Sequence, residues 1–211
     1  MKRSLVLGGL IAFVLAGCGA LNSLIPAQPN PIGLQGQSFS IPLGPSTAAV
    51  GSATLQPTTF ADIDPSKFNS ITPKSIDITL EFASAGLGGS CPAASNPPAT
   101  INVSYSGFDV TLSDSGGTGG AVRTITLPNP ALSGSFTLTK SSSGYSVSNV
   151  KPNPLFSING SDFTAAWQIL TTGGQNTVSA KASFTTTSTP DLAGCTLTLT
   201  MGGGQGKVNA F

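Results

Sequence analysis

The carboxylates, hydroxyls and amines of this chain fall into few arrangements that could do chemistry. Asp62 and Asp64 form a D-x-D pair that can offer oxygens to Ca²⁺, but the glycine and distal glutamate of an EF-hand loop are missing. Pro65 follows directly, so the same residues fit a single helical turn over 62–68, with Asp64 as N-cap and Pro65 at N1. Capping is the first reading and calcium the second. Asp77 and the one glutamate, Glu81, share the polar parity of an apparent strand. At i and i+4 they would stand roughly 13 Å apart by strand rise, beyond the spacing of either glycosidase geometry, so they read as a solvated face. Lysines lie near hydroxyls in Ser66-Lys67, Ser179-Ala180-Lys181 and Thr137–Lys140; none shows S-x-x-K on a helix with a later K-T-G. The chain has no histidine, which removes Ser-His-Asp and Cys-His catalysis and most transition-metal sites. No catalytic residue, cofactor or metal centre is assigned; Asp62 and Asp64 stay as weak calcium candidates.

The amino-terminal residues carry a different kind of chemistry. Lys2 and Arg3 precede an apolar run from Leu5 to Leu15, and small residues lead to Cys18; this is the layout of an export signal. The run is too short to span a bilayer, which takes about 20 helical residues. Its end, Leu15-Ala16-Gly17-Cys18, resembles the lipobox of bacterial lipoprotein signal peptides. The resemblance covers only residues 1–18. It implies that the Cys18 thiol takes a diacylglyceryl group, that residues 1–17 are removed, and that the new amine is acylated with palmitate or a similar chain. Each buried CH₂ contributes ~0.8 kcal/mol and one acyl chain holds only marginally, so two or three chains make a durable anchor. The expected location is the bacterial cell envelope. Gly19 follows Cys18 where an inner-membrane retention signal would place Asp, which favours the outer membrane in a cell that has one.

An oxidising envelope compartment bears on the two remaining cysteines. Cys91 and Cys195 are an even pair and read as a disulfide, with two free thiols as the alternative. Without Lys2 and Arg3 the chain keeps seven Lys/Arg against eight Asp/Glu, and it has no basic block; electrostatic nucleic-acid binding has no footprint here. Charged residues make up 8% of the chain, against about 25% in ordinary soluble domains, so Thr, Ser, Gly and Asn must supply the polar surface.

The elements that position these residues show period-2 alternation. From Gly19 to Gln37, Pro, Asn and Gln dominate, which reads as a tether able to reach about 50 Å if extended. Phe39, Ile41 and Leu43 alternate, with Pro42 marking an edge strand. Ile76, Ile78, Leu80 and Phe82 make the clearest strand. The apolar parity flips between Ile101-Val103-Tyr105 and Phe108-Val110-Leu112, which predicts a bulge at Ser106-Gly107. Further strands are expected at 121–127, 135–139, 145–150, 155–158 and 195–201. Phe163, Ala165, Trp167 and Ile169, with Val178–Phe184, predict a hairpin around Gly173-Gly174-Gln175. Trp167 falls on the core parity, and Tyr145 is expected to be exposed. Phe211 is similar to the terminal aromatic of outer-membrane barrel proteins, but the glycine-rich run 202–210 lacks a barrel strand's apolar band.

The expected architecture is all-β: an antiparallel β-sandwich of about nine to eleven short strands, or a β-barrel-like variant. Residues 1–17 form the signal peptide, 18–37 the lipidated cysteine and tether, and 38–211 one domain. The expected role is non-enzymatic, structural or partner-binding, with the membrane as partner through Cys18 and an envelope protein or glycan as a further one. A glycan- or small-ligand-binding lipoprotein is the rival, and an envelope enzyme stands third.

Overall fold

In the computed structural model, residues 27–44, 49–68, 72–114, 123–127, 132–152, 155–172 and 174–210 are described. Cys18 and Phe211 lie outside them. Among the described residues thirteen strands follow one another: β1 (Gln28–Pro29), β2 (Ser38–Pro42), β3 (Ala49–Ala61), β4 (Ser75–Thr79), β5 (Phe82–Gly88), β6 (Thr100–Asp114), β7 (Thr124–Leu127), β8 (Gly134–Ser141), β9 (Gly144–Lys151), β10 (Leu155–Asn159), β11 (Gln175–Thr187), β12 (Thr196–Met201) and β13 (Gln205–Asn209). They are joined by a 3-10 turn (Pro65–Phe68) and two helices, α1 (Pro92–Ser95) and α2 (Gly160–Thr172). Every strand pair is antiparallel. The fold is the expected all-β one.

The strands form a small sheet in the order β1-β13-β4-β10 and a large one in the order β2-β12-β5-β9-β8-β6-β11-β3, with β7 pairing the second half of β6. The run Ile76–Phe82 is divided between them. β4 ends at Thr79 in the small sheet and β5 begins at Phe82 in the large one, while Ile76, Ile78, Leu80 and Phe82 all stay buried. One apolar face thus serves a single core through the crossing, and that core joins the inward residues of both sheets.

The large sheet curls until its terminal strands meet, giving a nearly closed barrel. The inward face of β2 lies against β3, where a Cβ on Gly51 would sit 2.5 Å from the Pro42 carbonyl oxygen and 2.6 Å from Ile41 Cγ2. The bulge expected at Ser106-Gly107 is present. Lys181 faces Asp109 but Ser183 faces Ser106, so β6 holds one extra residue, and Gly107 takes φ +64°. A second bulge, on β3 between Leu55 and Thr58, accommodates Pro57, which has no N–H for the ladder. Inside the barrel Phe39 meets Phe108 edge-on at 5.7 Å and Phe184 at 5.6 Å.

Three expectations are corrected. Residues 160–172 form α2, not a strand, because Phe163, Ala166, Ile169 and Leu170 are the buried set and follow helical spacing. β11 therefore has no hairpin partner at 163–169; it pairs β6 and β3 instead. The segment read as tether belongs to the fold from Gln28 onward. β1 pairs β13, Ile32 and Leu34 are 2% exposed, and the Gln35 amide donates to Asn30 Oδ1 at 3.0 Å. The glycine-rich carboxy-terminal run also contains a strand, β13, with Gly206 and Val208 turned inward.

Closure at Gly51 leads to a direct test. Gly51→Val would drive a branched side chain into the β2 backbone, and overpacking of this kind costs about 1–3 kcal/mol. Urea unfolding of the variant should show a midpoint lowered accordingly, with Gly86→Val, in open space, affected less.

Candidate functional site

The candidate acids do not converge. Asp62 Oδ2 accepts the Gly174 amide at 2.6 Å and its Oδ1 accepts Asn176 Nδ2 at 2.7 Å, which ties the end of β3 to the start of β11. Asp64 caps the 3-10 turn as expected, accepting the Ser66 amide at 2.9 Å. Hydrogen bonds from Ser66, its hydroxyl first and its amide second, hold the Asp64 carboxyl below the usual carboxylate range. Among the described residues no group of three acidic or cysteine side chains is placed to hold a metal ion. Asp77 accepts Ser157 Oγ at 2.6 Å and Asn209 Nδ2 at 2.9 Å. Glu81 lies in the crossing between sheets, not on the strand of Asp77, and its Oε2 accepts the Gly204 amide at 3.3 Å.

The lysine–hydroxyl neighbourhoods are equally structural. Lys181 stands opposite Asp109 on β6, and Lys140 Nζ donates to the Pro97 carbonyl at 3.4 Å. Lys67 sits in the 3-10 turn beside Ser66, whose amide is bound to Asp64. Where β3, β6 and β11 end together, Asn176 is buried opposite the buried Asp114, which accepts the Arg123 amide at 2.8 Å. Sequence reading missed this polar cluster; the inward parity of Asp114 after Val110 and Leu112 was its signal.

Cys91 and Cys195 are joined, with their Cα atoms 5.2 Å apart. Gly88 of β5 faces Thr196 of β12, so the bond locks two neighbouring strands at their ends and closes a sequence separation of 104. Tyr145 is buried, not exposed, and donates its hydroxyl to the Pro98 carbonyl at 2.8 Å. Tyr105 does the same to Pro152 at 3.3 Å. Burial pushes both phenols above their ordinary 10.0.

The concavity with a chemical character of its own lies beside α2. It measures about 550 Å³, and Pro73, Lys74, Phe163, Thr164, Trp167 and Gln168 are among its lining residues. Asp162 stands in the first turn of α2, where the helix dipole favours a carboxylate. Phe163 stacks on Trp167 with ring centroids 5.6 Å apart, and Phe68 meets Trp167 edge-on at 5.3 Å. The indole is thus held from two sides but remains half-buried, neither core nor free. Apolar rings and hydroxyl, amide and ammonium groups line the groove together, and among the described lining residues Lys74 is the one titratable group. Alternation at 163–169 hid the groove, since a strand would have sent Phe163 and Trp167 to one flat face.

No family model and no curated protein matches the sequence. Among solved structures, the infectious bursal disease virus VP2 subviral particle is 12% identical, with a TM-score of 0.26, over 88% of this chain and 32% of that one. The chain thus spans about a third of that protein's length. A carbohydrate-binding module in complex with β-1,4-galactotriose is 10% identical, with a TM-score of 0.17, over 88% and 85% of the two chains. Desmodium yellow mottle tymovirus gives 10% and 0.17, over 88% and 89%. Overlaps this slight carry no argument.

Two measurements follow. Reducing Cys91–Cys195 releases a constraint worth up to about 4–5 kcal/mol in the chain-entropy account, so the melting temperature should fall markedly with reductant; an unchanged melt would contradict this. For the phenols, the folded pKa lies above the unfolded one. Their contribution is therefore whole below pH 10.0 and lost as pH rises through the folded values. Thermal stability should decline above pH 10.0, less steeply in a Tyr105→Phe, Tyr145→Phe double variant.

Proposed function

We propose that this chain is a lipid-anchored protein of the bacterial cell envelope, held through Cys18, whose β domain acts by binding and not by turnover. The observation that carries the reading is the charged start, the apolar run and Leu15-Ala16-Gly17-Cys18 in that order. The Cys91–Cys195 bond supports it, because structural disulfides persist in oxidising compartments outside the cytoplasm. Gly19 in place of Asp supports the outer membrane where the cell has one.

The binding role is supported by what the acids do: Asp62, Asp64, Asp77 and Glu81 each accept hydrogen bonds within the fold. A second reading, glycan or small-ligand binding, is favoured by the Trp167 groove, whose stacked rings and polar lining suit an amphipathic ring. Both readings make the domain a presenter of surface.

Intact-mass analysis of protein extracted from membranes is the test. The expected product lacks residues 1–17 and carries diacylglyceryl and acyl mass on Cys18, and Cys18→Ser accumulates as an unprocessed precursor. A mature amino terminus elsewhere, without lipid, sinks the anchor. The extracted protein should show no turnover on ester, peptide, glycoside or phosphate substrates; hydrolysis abolished by Asp62→Asn or Glu81→Gln would replace the binding role with an enzymatic one.

A further inference from the structure

We infer that the groove along α2 takes an acidic sugar: a pyranose ring laid on Trp167, with its carboxylate met by Lys74. The inference rests on the second reading above, that this groove receives a ring-shaped ligand, and names the charge that ring carries. Two stripes of α2 share Phe163. Phe163, Ala166, Ile169 and Leu170 are buried, while Gly160, Phe163, Thr164, Trp167 and Gln168 line the groove. Positions i, i+3, i+4, i+7 and i+8 form one continuous face of a helix. Asp162, the acid of α2, falls outside that face and is not among the lining residues.

Thr72, Pro73 and Lys74 line the groove from the segment that leads into β4. The Lys74 amide donates to the Asn209 carbonyl at 2.8 Å, which ties its backbone to β13 while the side chain stays exposed. An ammonium with no carboxylate among the described lining residues gives the groove a positive sign, and charge complementarity therefore selects an anion.

The rings say what kind of anion. Phe163 stacks on Trp167 with the two planes 25° apart, and Phe68 meets it edge-on. Phe163 and Phe68 are buried, so the indole is held in one position before a ligand arrives, which lowers the ordering cost of binding. An aromatic face is the negative side of its quadrupole, and the axial C–H bonds of a pyranose are weakly positive. The sugar's hydroxyls need donors and acceptors at its rim. Thr164 and Gln168, one helical turn apart, and Thr72 supply them. A flat aromatic acid would use the indole and the lysine but leave those three groups without a partner. An exposed ion pair adds modestly, so a uronate should bind about two- to fivefold more tightly than the same sugar uncharged, and salt should narrow that gap.

Trp167 is the only tryptophan in the chain and reports on its own site. The mature protein, extracted from membranes in detergent, is titrated at low salt with trimers of galacturonate, glucuronate and mannuronate and with the methyl ester of each. At least one acid is expected to shift Trp167 emission saturably and to bind about two- to fivefold more tightly than its own ester. That preference should shrink at high salt and vanish in Lys74→Gln, which keeps the backbone bond to Asn209 and should keep the circular dichroism of the parent. Esters that bind as tightly as their acids in every pair remove this inference and leave the groove to a neutral sugar. A preference for acid that survives Lys74→Gln places charge recognition elsewhere and also overturns it. If no trimer, acid or ester, moves the emission or releases heat in calorimetry, the sugar reading of the groove falls together with the inference.

Discussion

The close approach of β2 to β3 at Gly51 is the constraint on which the rest of the fold depends. A sheet this wide has two open edges, and unpaired edges invite association with other chains. Curling one edge onto the other removes most of that liability, but only if side chains at the seam are small. Gly51 supplies the space, and Ala53 continues the small inward face of β3. Closure then fixes what lies inside: Phe39 arrives from the opposite edge strand to contact Phe108 and Phe184. It also explains the bulges in β3 and β6, since strands as long as these and β11 must bend to follow a closed wall.

The same constraint explains what was legible in the sequence. Strands whose inward positions hold large residues announced themselves, as in Phe39-Ile41 of β2 and Leu197-Leu199 of β12. The bulge at Gly107 was legible too, because an extra residue must flip the parity of every apolar position after it. β3 was not, although it has 13 residues, because the seam demands Gly51 and Ala53 where periodicity needs large apolar groups. β1 and β13 escaped for a related reason: Gly206 must be glycine where a Cβ would meet Pro31 at 2.8 Å. The continuous alternation of 76–82 hid a change of sheet, since alternation reports which face is buried and not which neighbour is paired.

α2 failed for a different reason. In Phe163-Thr164-Ala165-Ala166-Trp167-Gln168-Ile169-Leu170 the apolar residues satisfy periods of 2 and 3.6 at once, and short apolar runs cannot be divided by periodicity alone. Ala166 and Leu170, one turn apart and both buried, decide it in the structure. The misreading also concealed the groove, because only a helix places Phe163 and Trp167 on adjacent turns, where the rings can stack. The disulfide needed no geometry to be foreseen, since a cysteine pair in an oxidising compartment suffices, whereas its role in locking β5 to β12 depends on register that local pattern does not encode.

Polar groups in this fold are committed to holding strands together, and that bears on what the domain can do. With charged residues so few, three of the carboxylates join separate strands: Asp62 joins β3 to β11, Asp77 bridges β4 to β10 and β13, and Glu81 fixes the crossing against Gly204. Tyr105 and Tyr145 are buried as well and donate to backbone carbonyls. The carboxylates and phenols named here thus serve the scaffold, while Trp167, stacked on Phe163, stays half-buried beside the groove along α2. Phe163, Ala166, Ile169 and Leu170 bury the same helix in the core, so the half-buried ring is carried on an element that the fold itself holds in place.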